Sequence, residues 1–173
     1  MELLTAFFSA DTPPEDRLRI EAAAQALSPD DLSISAARLR GATMSHPAWI
    51  QTSRIRGGLR AGWQALFEDV DVVLFPPMPI VAFPHDHSSP IRARQLEVNG
   101  KKVPYGDQIA WAGIATSNWL PATTMPIGHD DSGLPIGVQI IGGQYRDLTC
   151  IRLARLLERE YRGFVPPPGY AAS

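Results

Sequence analysis

Two apolar runs with a short polar turn between them, followed by an amphipathic segment, constrain this fold most. The runs occupy 122–127 and 136–141, and the turn between them reads GHDDSG. Because so short a connection joins neighbouring strands, the pattern predicts an antiparallel pair. Apolar residues then recur at helical spacing over about 147–162, which indicates a helix packed on that pair. Its expected inner face comprises Leu148, Ile151, Ala154, Leu157 and Tyr161.

The rest of the chain divides into a helical part, 1–69, and a strand-containing part that continues to residue 173. We predict helices at about 14–27, from Pro29 to His46, a third ending near Phe67, and one at 105–116. The run 70–75 indicates a buried strand of a parallel or mixed sheet. Around Asn99-Gly100, residues 95–103 predict a hairpin with a type I′ turn. The pattern favours a single α/β domain over 1–173, with a mixed β-sheet flanked by helices.

Composition argues against several classes of partner. The chain carries a net charge of −2 and has a pI of about 6.1, so neither a nucleic acid nor a membrane is an expected partner. Its one cysteine, Cys150, rules out an intramolecular disulfide. The amino-terminal apolar run lacks the basic residues that precede a signal peptide's core. These features predict a cytoplasmic protein.

The segment GGQYRD at 142–147 follows a strand and precedes a helix, as a phosphate-binding loop does. It matches neither the dinucleotide-binding pattern nor the P-loop, because the third glycine of the first and the Lys-Ser/Thr pair of the second are missing. We interpret Gly142 and Gly143 as positions where the chain turns tightly and a helix packs closely on a strand. No cofactor is predicted.

No complete catalytic or metal-binding set can be assembled from the sequence. His85, Asp86 and His87 are possible zinc ligands, but they lie in a Pro/Ser-rich loop without an evident fourth ligand, so no metal site is predicted. Cys150 is expected to be a buried structural residue. The only two lysines, Lys101 and Lys102, flank the predicted hairpin turn, where they would point into water. A serine activated by a lysine therefore has no candidate.

Three segments, in this order, carry a family resemblance: VDVVLFPPMPIVAFPHD, PYGDQIAWAGIATSNWLPATTMPIG and SGLPIGVQIIGGQYRDLTCIRLARLLE. They resemble the carboxy-terminal part of the amidase signature family, and the preceding helical stretch is also similar. The resemblance implies a hydrolase that cleaves amide carbon–nitrogen bonds with two serines and a lysine. Those residues lie in a Gly/Ser-rich segment that precedes the region resembled here and is not in this sequence. The set of catalytic residues assigned to this chain is therefore empty.

The resemblance also implies which residues lie nearest the substrate. It places the Pro76–Pro79 turn and the Tyr105–Trp111 region at the pocket. The candidate substrate-pocket residues are Pro77, Met78, Tyr105, Gln108, Trp111 and Trp119. Trp119 occupies a position where the family commonly has glycine, so its indole either narrows the pocket or marks a subgroup.

Two functional hypotheses follow. In the first, the chain is the carboxy-terminal portion of an amidase-signature hydrolase, inactive alone, that meets a small-molecule amide substrate only when the amino-terminal part is present. In the second, it is a non-catalytic interaction domain derived from that fold. A small metal hydrolase using His85, Asp86 and His87 is a remote third. Either leading hypothesis predicts uncovered strand edges and apolar faces, and hence self-association or a partner chain.

Overall fold

A computed structural model describes residues 1–9, 12–167 and 169–170. The helices are α1 (Glu2–Phe8), α2 (Pro14–Gln25), α3 (Ile34–Ala42), α4 (His46–Asp69), α5 (Ile109–Asn118) and α6 (Asp147–Glu160). The strands are β1 (Val72–Phe75), β2 (Gln95–Val98), β3 (Lys101–Pro104), β4 (Ala122–His129) and β5 (Pro135–Gly142). Within the described ranges, every helix is too short or too polar to cross a membrane.

The main sheet has the strand order β1-β5-β4. The predicted antiparallel pair is confirmed, with register from Ala122↔Ile141 to His129↔Pro135 and a bulge between Pro126 and Gly128. Strand β1 pairs with the other edge of β5, also antiparallel. The α/β class is confirmed, although all strand pairs among the described residues are antiparallel. The parallel pairing that a mixed sheet implies is not formed within this part of the chain.

The hairpin prediction is also confirmed. Strands β2 and β3 pair antiparallel around Asn99 and Gly100, whose φ angles are 51° and 74°. Both values are positive, as a type I′ turn requires.

Helices cover both faces of the main sheet. On one face, Met125, Val138 and Ile140 pack against Cys150 of α6, with Leu153, Ala154 and Leu157 alongside. On the other, the buried Gln139 donates a hydrogen bond from Nε2 to the carbonyl oxygen of Trp111 in α5, at 3.4 Å. The sheet is thus enclosed between α6 on one face and α5 on the other.

Helix α6 is confirmed, but its predicted inner face is wrong in part. Leu148, Ile151 and Tyr161 are exposed, whereas Cys150 is fully buried. The inner stripe begins at Cys150 and continues through Leu153, Ala154 and Leu157, at the i, i+3, i+4 and i+7 positions of a helical face. The helix is rotated from the predicted phase because its thiol fits against the glycine that ends β5.

Gly142, which ends β5, and Gly143, which follows it, do not provide the predicted tight turn. Neither has a positive φ; the left-handed residue in this connection is Tyr145, at 64°. The missing side chains instead permit close packing. A Cβ on Gly142 would lie 2.7 Å from Cys150 Sγ, and one on Gly143 would lie 3.4 Å from the ring of Phe67.

The amino-terminal region differs most from prediction. Helix α1 was not predicted, and α3 begins at Ile34 rather than near Pro29. Arg40 holds the Ser28–Asp31 segment in a turn by donating to three of its carbonyl oxygens. Ser33 then caps α3 by accepting a hydrogen bond from the backbone N–H of Ala36. The helix starts late because this distant arginine stabilises the non-helical turn.

Candidate functional site

The proline-rich loop after β1 brings Pro77 and Met78 to one cavity. The strand ends at Phe75 because the prolines that follow have no backbone N–H to donate. The loop then folds over the start of β5 and encloses a cavity of about 250 Å³. Gly137 packs beside Pro77, since a Cβ there would lie in ordinary contact, 3.6 Å from Pro77 Cγ.

A second cavity, of about 350 Å³, contains Tyr105 and Gln108 together with Ser35 and Arg38. Its lining therefore offers a guanidinium, two hydroxyls and a side-chain amide. Gln108 Oε1 is buried and accepts no hydrogen bond from the described part of the chain. The ring of Phe83, from the proline-rich loop, contacts the Tyr105 ring edge-on with centroids 6.0 Å apart. This contact joins the loop to the second cavity.

Trp111 anchors α5 between these features and the sheet. Its ring lies 6.1 Å from that of Phe75, centroid to centroid, and its carbonyl oxygen accepts the bond from Gln139. Of the six candidate pocket residues, Pro77 and Met78 lie in the proline-rich loop, and Tyr105, Gln108 and Trp111 lie in the 3-10 turn Tyr105–Gln108 and the first turn of α5.

Trp119 lies apart from the other five. It stands eight residues beyond Trp111, about 12 Å further along the helix axis at 1.5 Å per residue. Its backbone is left-handed, with φ 56° and ψ 40°, as the residue that ends α5. Glycine adopts this conformation without steric cost, which explains physically why glycine suits the position. The indole instead lies under two arginines of α4, with Arg56 Cζ 4.1 Å and Arg60 Cζ 4.9 Å from the ring centroid.

The arginine pair is a feature that sequence reasoning did not link to Trp119. The available signal was two arginines four residues apart, a spacing that puts both on one helix face. Burial lowers the pKa of Arg56, and the nearby charge of Arg60 lowers it further. The two cations are therefore close enough to repel each other.

In the loop that contains His85, Asp86 and His87, the carboxylate takes part in a local turn. The rings of His85 and His87 lie 5.8 Å apart, centroid to centroid. The carboxylate between them, Asp86, accepts a hydrogen bond from the Ser88 backbone N–H at 2.8 Å. Hydrogen bonds from Ser88 lower the pKa of Asp86. In the described ranges, no three His, Cys, Asp or Glu side chains are grouped to hold a metal ion.

Both lysines are exposed at the start of β3, beside the hairpin turn. A lysine that activates a serine must be held next to it and shielded from water. This geometry gives the chain no such lysine. Cys150 is not an alternative to the serine nucleophile either. Burial raises the pKa of its thiol, and the charge of Asp147 raises that pKa further.

Comparison with known families decides what this scaffold is. The family model described as "Amidase" matches residues 11–151. The chain belongs to the amidase family. Its similarity to amidases thus includes the proline-rich loop, α5, the β4–β5 pair and the start of α6.

Individual relatives include amide hydrolases and one component of an amidotransferase. A glutamyl-tRNA(Gln) amidotransferase subunit of Helicobacter hepaticus is 31% identical over 65% of this chain. Human fatty-acid amide hydrolase 2 is 29% identical over 65%, and indoleacetamide hydrolase of Bradyrhizobium diazoefficiens is 30% identical over 64%. The chain spans only 19% to 23% of the length of these relatives.

Solved amidase structures share the fold. The structure of the corresponding glutamyl-tRNA(Gln) amidotransferase subunit from Thermotoga maritima covers 95% of this chain, with a TM-score of 0.58 at 21% identity. A vestigial protein complex connected with the origins of an s-triazine catabolic enzyme covers 84%, with a TM-score of 0.59 at 26% identity. This chain spans 32% and 30% of those two chains, respectively.

Proposed function

We propose that this chain is the carboxy-terminal portion of an amidase-signature hydrolase that acts on non-peptide amide bonds, and that it is inactive alone. The observation that carries the proposal is the position of its only lysines, both exposed beside a hairpin turn. A Ser-Ser-Lys device would then have to come from polypeptide outside these 173 residues. The short span of the chain relative to its relatives supports the same conclusion.

The uncovered edge of β1 supports the proposal independently. Residues 71–76 make no backbone hydrogen bonds to the described residues apart from those with β5. Leu74 in this strand is 53% exposed, and Leu148 and Leu156 of α6 are exposed too. An open edge beside apolar side chains is suited to further strands or to a partner chain. We propose that the rest of the fold, in the same or another polypeptide, covers it.

In the assembled enzyme, we propose that the two cavities face the amide substrate. The residues assigned to its pocket are Pro77, Met78, Tyr105, Gln108 and Trp111, whereas the sixth candidate, Trp119, lies apart from them and contacts Arg56 and Arg60. The polar groups that line the second cavity, from Arg38, Tyr105 and Gln108, support this role, because they could exchange hydrogen bonds with an amide. We further propose that the 173 residues form one domain in a cytoplasmic protein, as the single buried thiol suggests.

Two measurements test this function. The purified 173-residue chain should not turn over a simple aryl amide such as 4-nitroacetanilide, and turnover at a rate unaffected by further purification would contradict the proposal. The DNA upstream of the Met1 codon, translated in all three frames, should encode a lysine and a Gly/Ser-rich segment with two serines. An upstream region without that segment would instead favour a non-catalytic interaction domain.

A further inference from the structure

Trp119 and two arginines of α4 form a cationic cluster on the surface of the molecule. The indole is 53% exposed, and both guanidinium groups lie within 5 Å of its ring centroid. A left-handed backbone is unfavourable for tryptophan, so neighbouring contacts must hold it. Stacking of guanidinium groups on an indole is one such contact.

Among residues 1–9, 12–167 and 169–170, the two positive charges have no counter-ion. The ion pairs within the described ranges are Arg19–Asp16 and Arg159–Glu160, and neither Arg56 nor Arg60 has a carboxylate oxygen within 4.0 Å there. Each guanidinium offers five N–H donors in a planar fork that matches a carboxylate. Trp119 and Leu120 already donate to carbonyls at the end of α5, at Thr116 and Ala115. That helix end is therefore capped without the arginines.

Apolar side chains border the cluster on the same helix. Ile55 is 66% exposed and Leu59 is 58% exposed, one residue before each arginine. They line a cavity of about 330 Å³ together with Arg56, Thr52 and the buried Asn118. Tryptophan and arginine bordered by aliphatic groups are typical of the energetic centre of a protein interface.

We propose that Arg56, Arg60 and Trp119 bind an aspartate or glutamate side chain of the polypeptide that completes this fold, with Ile55 and Leu59 contacting aliphatic residues beside that acid. The inference rests on the proposed function, because an incomplete amidase fold requires such a polypeptide. Charge complementarity selects the occupant: two clustered cations favour a carboxylate, and the aliphatic border favours a peptide over a free ion.

Nuclear magnetic resonance titration of the 173-residue chain tests the chemistry directly. The probes are the doubly capped residue Ac-Glu-NH2, its neutral match Ac-Gln-NH2, the capped peptide Ac-Leu-Glu-Leu-NH2 and inorganic phosphate. The Trp119 indole and Arg56 Nε signals should shift saturably with the two probes that contain glutamate and not with Ac-Gln-NH2. The peptide should bind about tenfold more tightly than Ac-Glu-NH2, because it also buries leucine side chains.

Variants locate the binding. Arg56→Gln and Arg60→Gln should each weaken binding of the peptide about tenfold. Arg54 is an exposed arginine on the same helix, and Arg54→Gln should leave the affinity unchanged. Arg56→Lys keeps the positive charge but removes the planar guanidinium, and circular dichroism shows whether each variant is still folded.

Glu2 lines the same cavity as Ile55, Arg56 and Leu59, and Glu2→Gln should leave peptide binding unchanged. A tenfold gain in Glu2→Gln would overturn the proposal by showing that Glu2 is the internal partner.

Two further outcomes of the titration would contradict the proposal. Equal affinity for the peptide and Ac-Glu-NH2 would contradict a polypeptide occupant, and tighter binding of phosphate would contradict a carboxylate. These titrations do not depend on hydrolysis. A chain that binds the peptide but proves catalytically complete would refute the proposed function alone, and a chain that ignores the peptide while lacking activity would refute this inference alone.

Discussion

Gly142 and Cys150 set the distance between the main sheet and α6. The thiol donates weakly to the Pro121 carbonyl oxygen at 3.8 Å, and a Cβ on Gly142 would stand only 2.7 Å from its sulfur. We predict that Gly142→Ala lowers the free energy of unfolding by about 1–3 kcal/mol, because overpacking a close contact forces the elements apart. Chemical denaturation of the purified variants measures the difference.

A double-mutant cycle isolates this contact. Cys150→Ala removes the sulfur, so Gly142→Ala should cost much less in that background. Gly128→Ala is the matched control, since a Cβ there meets no atom within 4 Å. Additive effects of the two substitutions would show that the sulfur is not what excludes alanine at this position.

The buried thiol should resist labelling. Cys150 is fully buried and its pKa is raised by burial and by Asp147, so little thiolate is present or accessible near neutral pH. We predict that iodoacetamide reacts at least about 100-fold more slowly than with the denatured chain, because labelling requires an opening of about 3 kcal/mol or more. Equal rates in native buffer and denaturant would contradict the burial.

The same shift gives a direction to the pH dependence of stability. The unfolded thiol ionises near its ordinary pKa of about 8.5, while the folded thiol stays protonated to higher pH. The folded state then holds the extra proton, so its stability falls as pH rises above that value. Cys150→Ala should flatten this alkaline decline in a denaturation series.

At the scale of elements, Asp130 organises the turn between β4 and β5. Its carboxylate accepts hydrogen bonds from the Ser132 hydroxyl and from the backbone N–H groups of Ser132 and Leu134. The side chain of Ser132, followed by the backbone of Leu134, lowers the pKa of Asp130. The carboxylate therefore stabilises the fold above its unfolded pKa of about 3.9, and this contribution is lost as pH falls through the lower folded pKa.

We accordingly predict that Asp130→Ala lowers the melting temperature at pH 7 but has a diminishing effect as the pH falls below the unfolded pKa of about 3.9. Asp131→Ala, the exposed neighbour, is the control. Thermal melting followed by circular dichroism measures both variants. A pH-independent difference would mean that the side chain acts by packing rather than through its charge.

Elements with local signals could be predicted from the sequence, and those set by distant contacts could not. Asn99-Gly100 supplies both positive φ angles of its turn, and the β4–β5 pair is joined by a few residues. The start of α3 depends instead on Arg40, which reaches back to Ser28 across twelve positions. The phase of α6 depends on Gly142, in a preceding strand. Such choices are made by tertiary packing, which residue patterns do not encode.

The candidate site divides in the same way. The family resemblance predicts that the Pro76–Pro79 turn and the Tyr105–Trp111 region lie at the substrate pocket. Contacts of Phe83 with Tyr105 and of Phe75 with Trp111 connect the chain on either side of that turn to the second region. Trp119 could not be placed from the sequence, because its neighbours Arg56 and Arg60 lie about 60 residues earlier. The role of all these residues toward a substrate stays a prediction.

At the scale of the whole molecule, the open edge of β1 should cause association. We predict that the isolated chain sediments as a concentration-dependent oligomer and that Leu74→Lys shifts it toward monomer, because lysine on an edge strand opposes pairing. Leu18→Lys on α2 replaces an equally apolar and even more exposed residue, at 73%, and should leave association unchanged. A monomer that melts cooperatively at all concentrations would contradict an exposed pairing edge.

We propose that the serine of the Ser-Ser-Lys device lies outside residues 1–173. Labelling the protein purified from its natural source with a fluorophosphonate, then mapping the modified peptide by mass spectrometry, distinguishes this from a reactive serine within the chain. We predict a single labelled serine on a peptide absent from this sequence, whether in the same chain or in a partner. Stoichiometric labelling of a serine within residues 1–173, accompanied by loss of amide turnover, would contradict the claim.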